Sequence, residues 1–263
     1  MTESFAPAVM NATLPHPPLD LRKVLLVHLL VFQEAVFALQ IDDFDVIGFD
    51  YYTYDYPVYI FQSRSVPGPV DMGRFDNDKV YRAVVMKFHC DNFCVVMERF
   101  IQNNIRRLLS IATSVTRIVF KATPAFRAIR QPIIHEDMHS CLLVTEDNNE
   151  MILDGTIDQY GLDWRTHWLL TKEAAMASHM GDLDPRDDDE WEEIRKSLSD
   201  PYFYHGYWGG VADRRIEELF ETLDWECLRG LSEAEIESSI RAIARNKFVG
   251  AYEEAQERAQ IRR

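Results

Sequence analysis

Three side chains of the kind that carry acyl transfer lie in order along the chain: Cys94, His139 and Asp154. A cysteine attacks as its thiolate, and a helix N-terminus with a nearby imidazolium favours that form. The segment DNFCVVMERF sets Cys94 in the first turn of an expected amphipathic helix, with Asp91 or Asn92 as its cap. The imidazole must then be held rigidly, and a third group must fix its tautomer. His139 opens one β-prone run, HSCLLVT, and Asp154 closes another, EMILDGT. Asp147-Asn148-Asn149 between them reads as a turn, so the two runs form a β-hairpin. If Asp147 and Asn148 make a two-residue turn, Asp154 falls opposite Cys141, one diagonal step from His139. Diagonal neighbours are about 7–8 Å apart at Cα, within reach of each other's side chains.

Each residue also has a structural reading. Cysteine is among the most buried residue types, so Cys94 fits a core position. His139 fits a strand-edge histidine bonded to backbone. Asp154-Gly155 is a strong turn pair. Cys90 is the rival nucleophile, expected at the end of a strand, and His135 is the rival base. The Cys94 N–H and Asn92 are the available oxyanion donors. Gln159 either lines the site or bonds loop backbone.

The stretch HEDMH (His135 to His139) matches the zinc-protease pattern HExxH. That pattern works on a helix, which sets both histidines on one face with the glutamate against the metal-bound water. Here hairpin composition begins directly after His139 and leaves the helix no length. A zinc hydrolase through His135, Glu136 and His139 therefore stands as an alternative, and no metal or cofactor is expected.

Cysteine at a helix start, histidine opening a strand and aspartate on the next strand together resemble the papain-like superfamily. The similarity is to its transglutaminase and arylamine N-acetyltransferase branch, and ILDGTIDQYG looks like the Asp-x-Thr-x-x-Gln-aromatic-Gly ending of such enzymes. The resemblance spans about Val80 to Gly161. It implies Cys94 as nucleophile, His139 as general base and Asp154 as the orienting acid.

These residues need a scaffold, and the chain divides into three parts. Residues 1–19 form a flexible Pro-rich arm. Residues 20–180 carry the α+β core expected of a papain-like thiol domain, and residues 181–263 an acidic segment with a helical extension. Asp20 caps a long buried helix from Leu21 to about Leu39. Asp45 to Gln62 reads as two strands with a turn near Asp55 to Pro57, and VYRAVVMKF (Val80 to Phe88) and RIVFKA as further strands. The acidic run Asp187 to Glu193 leads into a helix, and PYFYHGYWGG reads as an aromatic loop. Helices follow at Val211 to about Leu228 and from Ser232 onward, the last opened by a capping box.

Of 263 residues, 47% are apolar, enough for a sizeable core. With 28 Lys and Arg against 43 Asp and Glu the net charge is −15, which repels phosphate backbones, so no nucleic acid is expected. Four cysteines without a CxxC pair suit free thiols in a reducing, cytoplasmic setting. The run Val24 to Phe32 falls short of the roughly 20 apolar residues of a membrane helix, and the N-terminus lacks signal-peptide character. Three functions follow: acyl transfer through a Cys thioester on a small-molecule or peptide amide, an inactive interaction protein on the same fold, or zinc hydrolysis.

Overall fold

The computed structural model describes residues 19–39, 44–50, 56–63, 73, 75, 77–130, 138–184, 188–199 and 204–260. Residues 1–18 of the N-terminal arm, His135 and Glu136 lie outside them. The chain is α+β. Helix α1 (Leu21–Ala38) is followed by strands β1 (Phe44–Asp50) and β2 (Val58–Ser63), then helices α2 (Asp78–Met86) and α3 (Cys90–Leu109). Strands β3 (Thr113–Ala122), β4 (Arg127–Arg130), β5 (Met138–Glu146) and β6 (Asn149–Leu153) lead to a 3-10 turn, Ile157–Tyr160. Then come α4 (Trp164–His167), β7 (Leu169–Thr171), α5 (Lys172–Ser178) and β8 (Met180–Leu183). The tail holds α6 (Asp188–Ser199), α7 (Tyr204–Thr222), α8 (Trp225–Arg229), α9 (Glu233–Lys247) and α10 (Ala251–Gln260).

An antiparallel sheet in the order β7-β6-β5-β3-β8 carries the site. A smaller sheet, β1-β2-β4, has one antiparallel and one parallel pairing. The β5–β6 hairpin has the two-residue turn expected, with Glu146 paired to Asn149 and Asp147 in the left-handed region at φ 53°. Its register, running to Leu142 opposite Leu153, sets Cys141 against Asp154 one step on.

Helix α1 is apolar nearly all round, so it is a buried helix. Asp20 caps it, accepting from the Lys23 N–H at 2.8 Å. Its core joins that of α3 and the sheet with apolar residues of α7 and α9. Each polar residue it buries has at least one partner, although the Gln33 Nε2 is left without one. The His28 ring meets the Val24 carbonyl and the Asn104 amide. Glu34 accepts from Arg241 and Arg245, and Gln33 from Arg241. The helical tail is thereby bolted to the middle of the molecule.

Three expectations need correction. Val80 to Phe88 has strand composition but is helical through Met86. Asn77 caps the helix at the Lys79 N–H, and Val80, Ala83 and Val84 are buried at helical spacing, so packing overrides β-propensity. Tyr204 to Gly210, read as loop, forms the first turns of α7. The helix from Ser232 has its capping box but breaks at Gly250, whose φ of 72° is left-handed, into α9 and α10. Among the described residues no helix is long and apolar enough to cross a membrane.

Candidate active site

His139 stands near the start of β5, paired with Phe120 of β3, and is fully buried. Its ring sits between two aromatic edges, with centroids 5.2 Å from Phe120 and 4.9 Å from Tyr160. The Asp154 Oδ2 lies 2.6 Å from Nε2, and Asp154 is buried as completely. The other carboxylate oxygen accepts the Thr156 N–H at 2.9 Å, and the Asp154 N–H donates to the Trp168 carbonyl. Thus the turn after β6 holds the carboxylate, and the junction between α4 and β7 holds the Asp154 backbone. Burial works against a charged imidazole, but the charge and hydrogen bond of Asp154 outweigh it and raise the His139 pKa to about 10.

On the opposite side of the ring, Gln159 donates from Nε2 to Nδ1 at 2.9 Å. A second N–H of the same amide reaches the Thr156 hydroxyl at 3.2 Å. Asp158, beside Gln159, is anchored by Arg82 of α2 at 2.7 Å, which ties the 3-10 turn to the helix before α3.

The thiol at this imidazole is Cys90, close enough to help raise the His139 pKa, while the amide of Gln159 holds Nδ1. Since Asp154 holds Nε2, the nitrogen left to take the thiol proton is Nδ1. Cys90 is half-buried and opens α3. The first N–H groups of a helix have no partner within it, so the Cys90 N–H and the helix field face the thiol. The corner Lys87-Phe88-His89 delivers α2 into α3, with Phe88 at φ 68°. A bulky residue there carries strain of order 1–3 kcal/mol, a cost met mainly at functional positions.

Cys94 is one turn further along α3. It is fully buried in the core, and burial together with nearby Cys141 and Asp91 pushes its thiol well above the ordinary range. The structure therefore brings Cys90, not the expected Cys94, to His139. The reason is the corrected α2: with Val80 to Met86 helical, α3 begins at Cys90 and the helix start moves back one turn. Asn92, expected as an oxyanion donor, is buried and turned back on the helix entry, with Nδ2 2.9 Å from His89 Nδ1. His139, Asp154 and Gln159 come together; Asn92 and Cys94 do not join them.

Sequence reasoning missed a second network. The Asp91 carboxylate accepts from the Ser140 hydroxyl at 2.6 Å and from Arg117 at 2.9 Å, and Arg117 also reaches Ser140. Asp91 adjoins Cys90 and Ser140 adjoins His139, so this cluster couples the start of α3 to the start of β5. Arg117 is stacked in turn on Trp191 of α6, 4.0 Å from the ring centre. The one sequence signal for the true start of α3 was Asn77-Asp78, the cap of the helix directly before it.

Both nitrogens of His139 are engaged by protein groups. Among the described residues no group of three His, Cys, Asp or Glu is placed to hold a metal ion. No protein-family model, curated protein or solved structure matches this chain.

Proposed function

We propose that the protein catalyses acyl transfer through a Cys90 thioester, with His139 as general base and Asp154 as its orienting acid. One observation carries this reading: a single buried imidazole has a carboxylate on Nε2, an amide on Nδ1 and a half-buried, helix-opening thiol close enough to shift its titration. The order of Cys, His and Asp on helix, strand and next strand supports the papain-like branch named above as the fold.

The chemistry follows from the protons. Nε2–H donates to Asp154, Nδ1 is the site that takes the thiol proton, and the raised His139 pKa favours the resulting thiolate–imidazolium pair. Cys90 gives its proton to Nδ1, and the thiolate attacks an amide carbonyl, opening its C=O to an oxyanion. The Cys90 N–H and the Gln159 amide, which the proton transfer frees from Nδ1, are the donors proposed for that oxygen. Collapse breaks the C–N bond, and Nδ1–H protonates the departing amine. Water or a second amine then attacks the thioester carbonyl, losing its proton to Nδ1 as the sulfur leaves. Hydrolysis, deamidation and transfer share these steps.

Four free thiols support a reducing compartment such as the cytoplasm. The test is labelling by iodoacetamide at neutral pH with the modified residue located by mass spectrometry. Cys90 should react at least tenfold faster than a small free thiol, and His139→Gln should remove the advantage. A Cys90 that reacts no faster than a free thiol would instead favour an interaction protein on the same fold.

A further inference from the structure

Lys87 is the residue around which the site remains electrostatically incomplete. It ends α2, three residues before Cys90, and its ammonium lies 5.9 Å from the Tyr160 ring centre. That ring is the one packed on His139 at 4.9 Å. The ammonium also lies 5.4 Å from the ring of Phe88, the strained corner residue. Lys87 is thus half-buried against the aromatic wall of the site, on the ring that packs on the base.

It has no carboxylate partner among the described residues. In this acidic chain most other partly buried cations do: Arg82 holds Asp158, Arg117 holds Asp91, Arg215 holds Glu254 and Arg241 holds Glu34. Instead Lys87 has a second cation nearby. Arg127 opens β4, directly after Phe126, whose N–H donates to the Tyr160 carbonyl, and its guanidinium lies over Tyr56 at 4.9 Å. Burial lowers the Lys87 pKa to about 8, Cys90 works the other way, and Arg127 adds to the lowering. A desolvated ammonium facing another cation is costly to keep unless an anion arrives.

We propose that the acyl donor carries a carboxylate close to its reacting carbonyl and that Lys87 binds it. This rests on Cys90 being the nucleophile. Lys87 is a compact point charge with three donors, suited to one carboxylate. The enzyme's net charge of −15 would otherwise oppose an acidic substrate, so the Lys87 ammonium selects which acids reach the thiol. The substrate class is then an acidic amide or an acyl compound with a free carboxylate, rather than a neutral one.

Two alkylators of the same size separate charge from reactivity. Iodoacetate and iodoacetamide both form an S–C bond at Cys90 and expel iodide, but only iodoacetate carries a carboxylate. The ratio of their second-order rates at Cys90 should exceed that at N-acetylcysteinamide by about tenfold or more, the scale of one partly screened charge pair. Lys87→Gln should lower the Cys90 ratio about tenfold, while Lys87→Arg should hold it within about threefold. A wild-type ratio no higher than that of the small thiol overturns the proposal even if Lys87→Gln does not fold. So does a ratio that Lys87→Gln leaves unchanged. If neither reagent labels Cys90, the nucleophile assignment fails and this proposal with it. If both label it and the ratio ignores Lys87, only the carboxylate site fails.

Discussion

Asp154 Oδ2 lies 2.6 Å from His139 Nε2, and neither side chain reaches solvent. A carboxylate and an imidazole sealed together in this way set both the ring's tautomer and its charge. The catalytic reading and the stability of the sheet then depend on the same pair.

The first prediction concerns pH. The His139 pKa is about 10 in the folded chain and about 6.5 in an unfolded one. A raised folded value means a stabilising contribution that is full below about pH 6.5 and fades as pH rises through about 10. Asp154→Asn removes the influence that raises it. The difference in urea midpoint between wild type and Asp154→Asn should be widest near pH 6 and shrink toward pH 10. A difference that is flat over this range would mean that His139 folds uncharged. The variant should also slow Cys90 alkylation by orders of magnitude at neutral pH.

His28 has the opposite sign. Burial lowers its pKa from 6.5 to about 4, against its bond to the Val24 carbonyl. The neutral ring is the one that fits, so its contribution is present above about pH 6.5 and is lost as pH falls toward 4. The full loss is roughly 3 kcal/mol. His28→Leu should be less stable at pH 7, because Asn104 loses its acceptor, yet lose less stability between pH 6.5 and 4. Denaturant titrations of both proteins at the two pH values measure it.

Thiol counting tests the placement of the cysteines. Cys94 and Cys141 are buried, Cys90 is half-buried and Cys227 is exposed. A chromogenic disulfide reagent should therefore find two thiols in the native protein and four in denaturant. Cys94→Ser puts a hydroxyl into an apolar core and should cost about 1–3 kcal/mol. Rapid native reaction of Cys94 would contradict the packing of α3.

Gly155 follows the orienting aspartate, and a Cβ there would lie 2.2 Å from the Phe93 ring. Phe93 is in turn packed edge-on against Phe32 at 5.0 Å, so the ring has nowhere to go. Gly155→Ala should cost about 1–3 kcal/mol or more and slow Cys90 alkylation by displacing Asp154. Adding Phe93→Leu should recover part of both effects; a tolerated Gly155→Ala would show that the turn can move without loss.

Much of the scaffold was legible in the sequence because its signals are local. Asp20 before an apolar run marked α1, Ser232 with Glu235 marked α9, and the β-prone runs on either side of Asp147-Asn148 set the hairpin register. That register was enough to bring Asp154 to His139, since strand pairing converts a count of residues into a distance. The nucleophile was not legible by the same logic. Whether Val80 to Met86 is strand or helix depends on which of its faces finds a core, and the β-branched composition pointed the wrong way. Only packing makes α2 a helix and starts α3 at Cys90 rather than near Cys94. The cluster of Asp91, Ser140 and Arg117, and the grip of Arg241 on Glu34, join residues 23 to 207 positions apart. No local pattern encodes such pairs, because they exist only once helix, sheet and tail have closed around one core.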